Sequence, residues 1–462
     1  MTVPVGLTVR LRPDVERRDG GRLLVGGSPV RAVRLSAAAH AILHDGAITV
    51  HDEPSWLLAR RLLDGNLADP APGPPAAPAD LTVVIPVRDR ADQLTRCLKA
   101  LGDRVAVIVV DDASADPVGS RRLAESFGAQ WIGLGLNRGP AAARNVGLGA
   151  VTTRYVAFID SDVTVSGDTL LALAGHFVDP RVALVGPLVQ GQTRSPRPRW
   201  FERYDAAASS LALGRRPCSV RPGAAVGWLP SAALVGRVSA LVRAGGFSEE
   251  MRVGEDVDLV WRLVGAGHVV RYEPGHVARH DVRSTVRGWL GRKVVYGSGA
   301  AALEDRHGDA VAPAVLSPLM ACAGALLLTR SRRLAPLAVL PVAAAAVSVA
   351  RTLPPTPGRG GLAARLAVRG LGWSLRQESA LLLRHWWPAT IVGLASSRVV
   401  RQMVLSALIV DAVVMTTLER PAIDPVTALA GRRLDDLAYG AGVWLGAMRA
   451  RDLRCLAVRV TH

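Results

Sequence analysis

Residues 155–163 read Tyr155-Val156-Ala157-Phe158-Ile159-Asp160-Ser161-Asp162-Val163. The first five side chains are apolar or aromatic in a β-favouring order, which predicts a strand buried within a sheet. The run stops abruptly at Asp160-Ser161-Asp162. At the carboxyl end of a strand, two carboxylates with one small residue between them can turn into the crevice where α/β sheets bind ligands. That arrangement suits a hard divalent cation also held by substrate phosphates. Asp and Ser are equally ordinary turn formers, so the tripeptide alone decides little. Its neighbours decide more.

Working outward, the chain alternates strands and helices on both sides of this stretch. Leu81–Pro86 predicts a buried strand running into Val87-Arg88-Asp89-Arg90, then a helix over about Ala91–Leu101. Val105–Val110 predicts a second strand, ending at Asp111-Asp112-Ala113-Ser114. A helix near Gly119–Phe127, a strand over Gln130–Leu134 and a helix opening at Leu136-Asn137-Arg138-Gly139-Pro140 follow. Such alternation predicts an α/β, doubly wound, mostly parallel sheet. Four polar turns would then share the edge where such sheets bind ligands.

The chain has 462 residues, enough for two or three domains, and 49% are hydrophobic, which excludes global disorder. Its formal net charge is +17. Of 56 basic residues only Lys99 and Lys293 are lysine, so the excess reads as an arginine-rich coding bias. Phosphate-bearing substrates or an anionic membrane fit that charge as well as nucleic acid does, and no nucleic-acid partner is expected. The four cysteines are far apart and suggest neither a metal site nor a disulfide framework, so a reducing compartment is expected. Arg10, Arg12 and Asp14 precede any long apolar run, which argues against a secretory signal.

Residues 1–78 are expected to form a small separate domain. Arg22–Val25 and Val30–Leu35 predict strands; Ser36 should cap a helix through about Leu43, and Val50-His51-Asp52 should lead into a helix around Trp56–Leu63. This order resembles the small winged-helix, PqqD-like peptide-recognition domains. A peptide or maturase partner is what that resemblance implies. The proline-rich stretch 69–78 marks the boundary.

Five segments carry a second resemblance: VVIPVRDR (83–90), VIVVDDAS (107–114), LNRGPAAARNVGL (136–148), FIDSDV (158–163) and GGFSEEMRVGEDVDLVWRL (245–263). Their order is that of the family 2 glycosyltransferases, and residues 80–282 resemble that family. The resemblance implies a GT-A, Rossmann-like fold over residues 79–305. It implies that Pro86, Arg88 and Asp112 (or Asp111) hold the uracil and ribose of a UDP-sugar. Arg144 would lie near the diphosphate, and Asp160 would touch ribose or sugar. Asp162 would bind Mn²⁺ or Mg²⁺, and Asp256 would be the general base. His280 would complete the metal or diphosphate site, or lie in an exposed loop. Trp228 would open the acceptor-side segment through Ala232.

Sugar transfer requires a stabilised leaving diphosphate and a carboxylate that takes the acceptor proton. With Asp256 opposite the leaving group, displacement is direct and inverting. Glu255 and Asp258 are the rival bases. Asp258 stands four residues before Arg262, spacing that favours an ion pair along a helix.

Beyond Arg306 the character changes. Residues 310–329 and 334–350 are free of charge, joined by Arg330-Ser331-Arg332-Arg333. Their lengths are borderline for a membrane span. A span followed by this arginine-rich turn would place positive charge outside, against the usual bias. Residues 306–462 are therefore expected to be a hydrophobic hairpin and amphipathic helices, including 365–385 and 398–418, lying on the cytoplasmic face of the cell membrane.

A peptide-recognition head, a family 2 catalytic domain and an arginine-rich helical tail together resemble the mycofactocin-system glycosyltransferases. That resemblance implies β-1,4 glucosylation of a peptide-derived redox-cofactor precursor from UDP-glucose. The alternatives are a polysaccharide or glycolipid glycosyltransferase, a nucleotidyltransferase, or a peptide-binding scaffold without activity.

Overall fold

The computed structural model describes residues 3–461. Its chain divides into two units: the segment up to Pro196 with Ser209–Val282, and Arg197–Ala208 with the chain from Arg283 onward.

In the first unit a nine-stranded sheet carries the site. Strands Gln130–Gly133, Ala106–Asp111, Leu81–Val87 and Tyr155–Ile159 lie side by side and parallel. Ala233–Arg237 then runs antiparallel between Tyr155–Ile159 and Val182–Gln192. Val269–Asp281 returns parallel to Val182–Gln192, with Val163–Thr164 and Cys218–Val220 antiparallel along it. The sheet is thus wholly parallel in its first half and mixed in its second, where one parallel pair stands among antiparallel ones, so the expected mostly parallel sheet is a mixed one. The second half lacks regular strand–helix alternation, so antiparallel returns replace the crossovers that parallel strands need.

The central strands are buried on both faces, which is why their sequences read as unbroken apolar runs. Successive residues serve different cores. Tyr155, Ala157 and Ile159 pack with Val83, Ile85 and helices Ala91–Leu101 and Gly167–Ala174. Val156 and Phe158 pack with Val84 and helices Pro140–Ala150 and Glu255–Gly265. Gly147 is required by the second contact, because a Cβ there would lie 2.3 Å from Val84 Cγ1.

The head has two helices, Ala37–Ile42 and Glu53–Asp64, capped by Ser36 and Asp52. Two three-stranded antiparallel sheets accompany them. The head is pinned to the catalytic sheet. Asn66 exchanges hydrogen bonds with the Ser219 backbone, Arg181 lies 4.5 Å above the Trp56 ring, and Arg271 reaches Asp69. The proline-rich connection is pinned too, through Gly73 N–H to Gly175 and Ala76 N–H to Leu171.

The second unit is helical and begins before residue 306, the point where composition changes. Trp289 on helix Val286–Ser298 packs with Phe201 and Tyr204 of Trp200–Ala207, which draws residues 197–208 into this unit. The same helix lies against Pro425–Ala450, where Gly297, Gly442 and Gly446 permit backbone-to-backbone contact. The apolar run 310–329 contains the helix Pro318–Leu328, too short to cross a bilayer. Two longer helical stretches, Ala335–Thr352 and Arg398–Glu419, have the length and apolar composition of a span.

Candidate active site

Three parallel strands end side by side at Val87, Asp111 and Ile159, so Arg88–Arg90, Asp111–Asp112 and Asp160–Asp162 meet at one sheet edge. Ile159 pairs with Ala233 on the antiparallel neighbour, which brings the segment Trp228–Ala232 to the same edge. There the Asp160 amide donates to the Ala232 carbonyl at 3.0 Å.

The two neighbouring carboxylates at 111–112 have different jobs. Asp112 accepts the Arg138 and Gly139 amides on its two oxygens, at 2.7 and 2.8 Å. It thereby fixes the turn into helix Pro140–Ala150, where Gly139 has φ +90°. Asp111 accepts the Ser114 amide on one oxygen, and its other oxygen is buried without a hydrogen-bond partner. An orphan buried acceptor costs free energy until a donor arrives. Asp111 is therefore the better fit to a ligand N–H, and Asp112 shapes the wall. Pro86 is buried within its strand, while Arg88 is half exposed, 3.7 Å from Asp89.

Arg144 does not point into the cleft. It is 2% exposed and bridges Asp160 at 2.6 Å and Glu255 at 3.1 Å, with its guanidinium over the Phe247 ring. A buried guanidinium with two carboxylates is an internal brace, and it ties the Asp160 turn to the start of helix Glu255–Gly265.

That helix begins at Gly254 in the left-handed region, φ +88°. Asp256 sits in its first turn and accepts the Ser231 amide at 3.1 Å and the Val257 amide at 2.8 Å. Burial, then the neighbouring Glu255 charge, push the Asp256 carboxyl up to about 7. The two amides and Arg144 oppose that shift. Glu255 is held by Arg144, and the raised Asp256 carboxyl can exchange a proton near neutrality. Asp258 pairs with Arg262 at 2.8 Å, as its spacing predicts. Trp228 is half-buried against the sheet core.

At the other end of the turn, Asp162 is 4% exposed and faces a guanidinium and an imidazole. Arg90 Nη1 lies 2.5 Å from one oxygen, and His280 Nε2 lies 3.6 Å from the other. His280 is part of the sheet rather than an exposed loop, since it pairs with Val163. Asp281 beside it is clamped by Arg96 and Arg194, and its amide donates to the Asp162 carbonyl. A turn carboxylate and an imidazole on the strand beside it fit a divalent cation whose remaining ligands are water and phosphate oxygens. Among the described residues no group of three or more His, Cys, Asp or Glu could hold a metal alone. Sequence reading missed Arg90 because its partner lies 72 residues away.

Known proteins agree on the family. Residues 82–220 match the model for glycosyl transferase family 2, and residues 155–414 match glycosyl transferase family group 2. The chain is 42% identical to the pre-mycofactocin glycosyltransferase of Mycobacterium tuberculosis, over 99% of this chain and 98% of that protein. It is 40% identical over 96 residues to the succinoglycan biosynthesis protein ExoO of Rhizobium meliloti, covering 20% and 28% of the two chains. Among solved structures, a Pyrobaculum calidifontis mannosyltransferase in complex with GDP-Man and Mn²⁺ aligns with a TM-score of 0.40 at 22% identity, covering 75% and 89%. With five motifs gathered at one sheet edge and a relative matched along nearly its whole length, the chain belongs to the family 2 glycosyltransferases, the family of the pre-mycofactocin glycosyltransferase.

Proposed function

We propose that this glycosyltransferase moves glucose from UDP-glucose to a peptide-derived redox-cofactor precursor, with inversion, building a β-1,4-linked chain. The observation that carries this reading is the 42% identity, along 99% of the chain, to a protein named for pre-mycofactocin. In the reading, Asp256 takes the proton of the acceptor hydroxyl as that oxygen attacks the sugar's anomeric carbon. The bond from that carbon to the UDP oxygen breaks as the new bond forms on the opposite face. Asp162 and His280 hold Mn²⁺ or Mg²⁺, which supplies Lewis-acid compensation of the leaving diphosphate. The unpartnered oxygen of Asp111 takes a donor N–H of the uracil ring. Asp160, braced by Arg144, is positioned for ribose or sugar, and Trp228 for the acceptor. The head, residues 1–78, takes the peptide or maturase partner.

The test is incubation with UDP-glucose, Mn²⁺ and candidate acceptors, read by mass spectrometry. Stepwise gains of hexose mass on the peptide-derived acceptor are expected. Transfer only to a lipid or polysaccharide acceptor would sink the reading, as would nucleotidyl transfer.

The helical unit is proposed to sit on the cytoplasmic face of the cell membrane. Leu337, Val339, Leu340 and Val347 are exposed on Ala335–Thr352, and Val399, Leu405, Ile409 and Val413 on Arg398–Glu419. Exposed arginines 330, 332, 333, 351, 398 and 401 flank them. Charge is turned inward: Asp411 pairs with Arg432 and Arg433, and Lys293 with Asp435. Apolar outside and ion-paired inside suits a lipid surface. Sedimentation with membranes and release by high salt or mild detergent are expected. Labelling of residues 330–333 from outside the cell would show true spans instead.

A further inference from the structure

We propose that Arg90 competes with the divalent cation for Asp162, so that the cation site is closed by an internal guanidinium until donor and metal arrive together. The inference rests on the metal reading above and concerns a residue which that reading leaves unused.

Four observations carry it. The Arg90 guanidinium is seated directly on the buried carboxylate, 2.5 Å from Oδ2, on the side of Asp162 away from His280. Its side chain is still 34% exposed, so it has solvent-side room to swing away. The backbone beneath it is fixed. Asp89 has φ +52°, its amide donates to Ser114 Oγ, and its carboxylate accepts the Ala115 amide. This latch holds the Arg90 loop against the loop of Asp111, whose free oxygen is the proposed nucleotide contact. Finally, among the described residues no third His, Cys, Asp or Glu joins Asp162 and His280 as a metal site.

The consequence is electrostatic. A dication at Asp162 and a guanidinium on the same carboxylate repel at a few ångströms, in a place water screens poorly. With two protein ligands the cation has little to set against that repulsion. A nucleoside diphosphate changes both sides of the balance. Its oxygens complete the cation's coordination, and they give Arg90 an alternative anion with which to form a forked contact. Arg90 then moves from Asp162 to the phosphates, so metal and donor bind more tightly together than separately.

The test uses the full chain in mild detergent and Mn²⁺ titrations read by the electron paramagnetic resonance signal of free Mn²⁺, with and without UDP. Without UDP, Arg90→Ala and the near-isosteric Arg90→Gln should bind Mn²⁺ about tenfold more tightly than the unaltered chain, the scale of one lost charge-assisted contact. Arg90→Lys, which keeps the charge, should stay close to the unaltered chain. Saturating UDP should shrink the tenfold gap, because it supplies Arg90 with another partner. Unchanged or weaker Mn²⁺ binding in both Ala and Gln variants without UDP would overturn the inference, as would a Lys variant that behaves like Ala. Failure of the unaltered chain to bind Mn²⁺ even with UDP would instead strike the metal reading itself. Asp162→Asn, which removes the shared carboxylate, should bind no Mn²⁺ in either state.

Discussion

Asp162 and Asp256 lie at two ends of one sheet edge in opposite electrostatic conditions. Asp162 is buried between a guanidinium and an imidazole. Asp256 accepts backbone amides, stands beside the Glu255 carboxylate and is pushed up to about 7. In the proposed reaction the first carboxylate is the one that meets the cation. The other is brought to the point where a proton can come and go. Neighbours assign these roles, since the side chains are identical.

The largest expected effect comes from removing the anion end. Asp162→Asn should lower transfer about a thousandfold or more, because several kcal/mol of compensation for the leaving diphosphate is lost. Its melting temperature should stay near that of the unaltered chain. Near-normal turnover of this variant in EDTA-treated buffer would break the contrast.

Next comes the proton end. Asp256→Asn should lower kcat by about 10²–10⁴-fold, the range general bases contribute. UDP-sugar affinity, measured by calorimetry with Mn²⁺ present, should hold within a few-fold. Glu255→Gln should be milder, since Glu255 is held by Arg144. If Glu255→Gln loses activity while Asp256→Asn keeps it, the two roles are exchanged.

The pH dependence sharpens the contrast further. The base must be ionised, so kcat should rise with pH through about 7 and fall about tenfold per unit well below it. Folding stability should move the other way. A carboxyl raised from 3.8 binds its proton more tightly folded than unfolded, so its contribution is full below 3.8 and is lost as pH rises through about 7. An Asp256→Asn variant should lack this stability loss. If it retains the loss in urea titrations at pH 6 and pH 8, another group is responsible.

The smallest effect concerns Asp112. Its two amide contacts predict that Asp112→Ala costs about 1–3 kcal/mol of stability. Donor affinity should fall less than in Asp111→Ala, which removes the carboxylate with the free oxygen. The reverse ranking by calorimetry would return the nucleotide contact to Asp112.

Much of the fold was legible because burial on both faces leaves an uninterrupted apolar run. Leu81–Val87 and Tyr155–Ile159 were readable from that alone. Local polar chemistry was legible too. Ser36 caps its helix through the Ala39 amide, and Asp258 meets Arg262 one turn on. The site was legible as a set of residue types at strand ends. Its wiring was not, because Arg144 reaches Glu255 across 111 residues and Arg90 reaches Asp162 across 72. The helical unit began earlier than composition suggested because Trp289, not a run of apolar residues, sets its edge.

The sequence by itself determined the strands, the caps, the motif order and the family, since each depends on spacing within a few residues or on the identity of short segments. Only the tertiary structure decided that the sheet is mixed and that Arg144 is a brace. It also decided that Asp111 rather than Asp112 keeps an oxygen free, and that a guanidinium sits on Asp162. Those outcomes depend on which groups are desolvated together, and desolvation is a property of packed neighbours rather than of neighbouring positions in the chain.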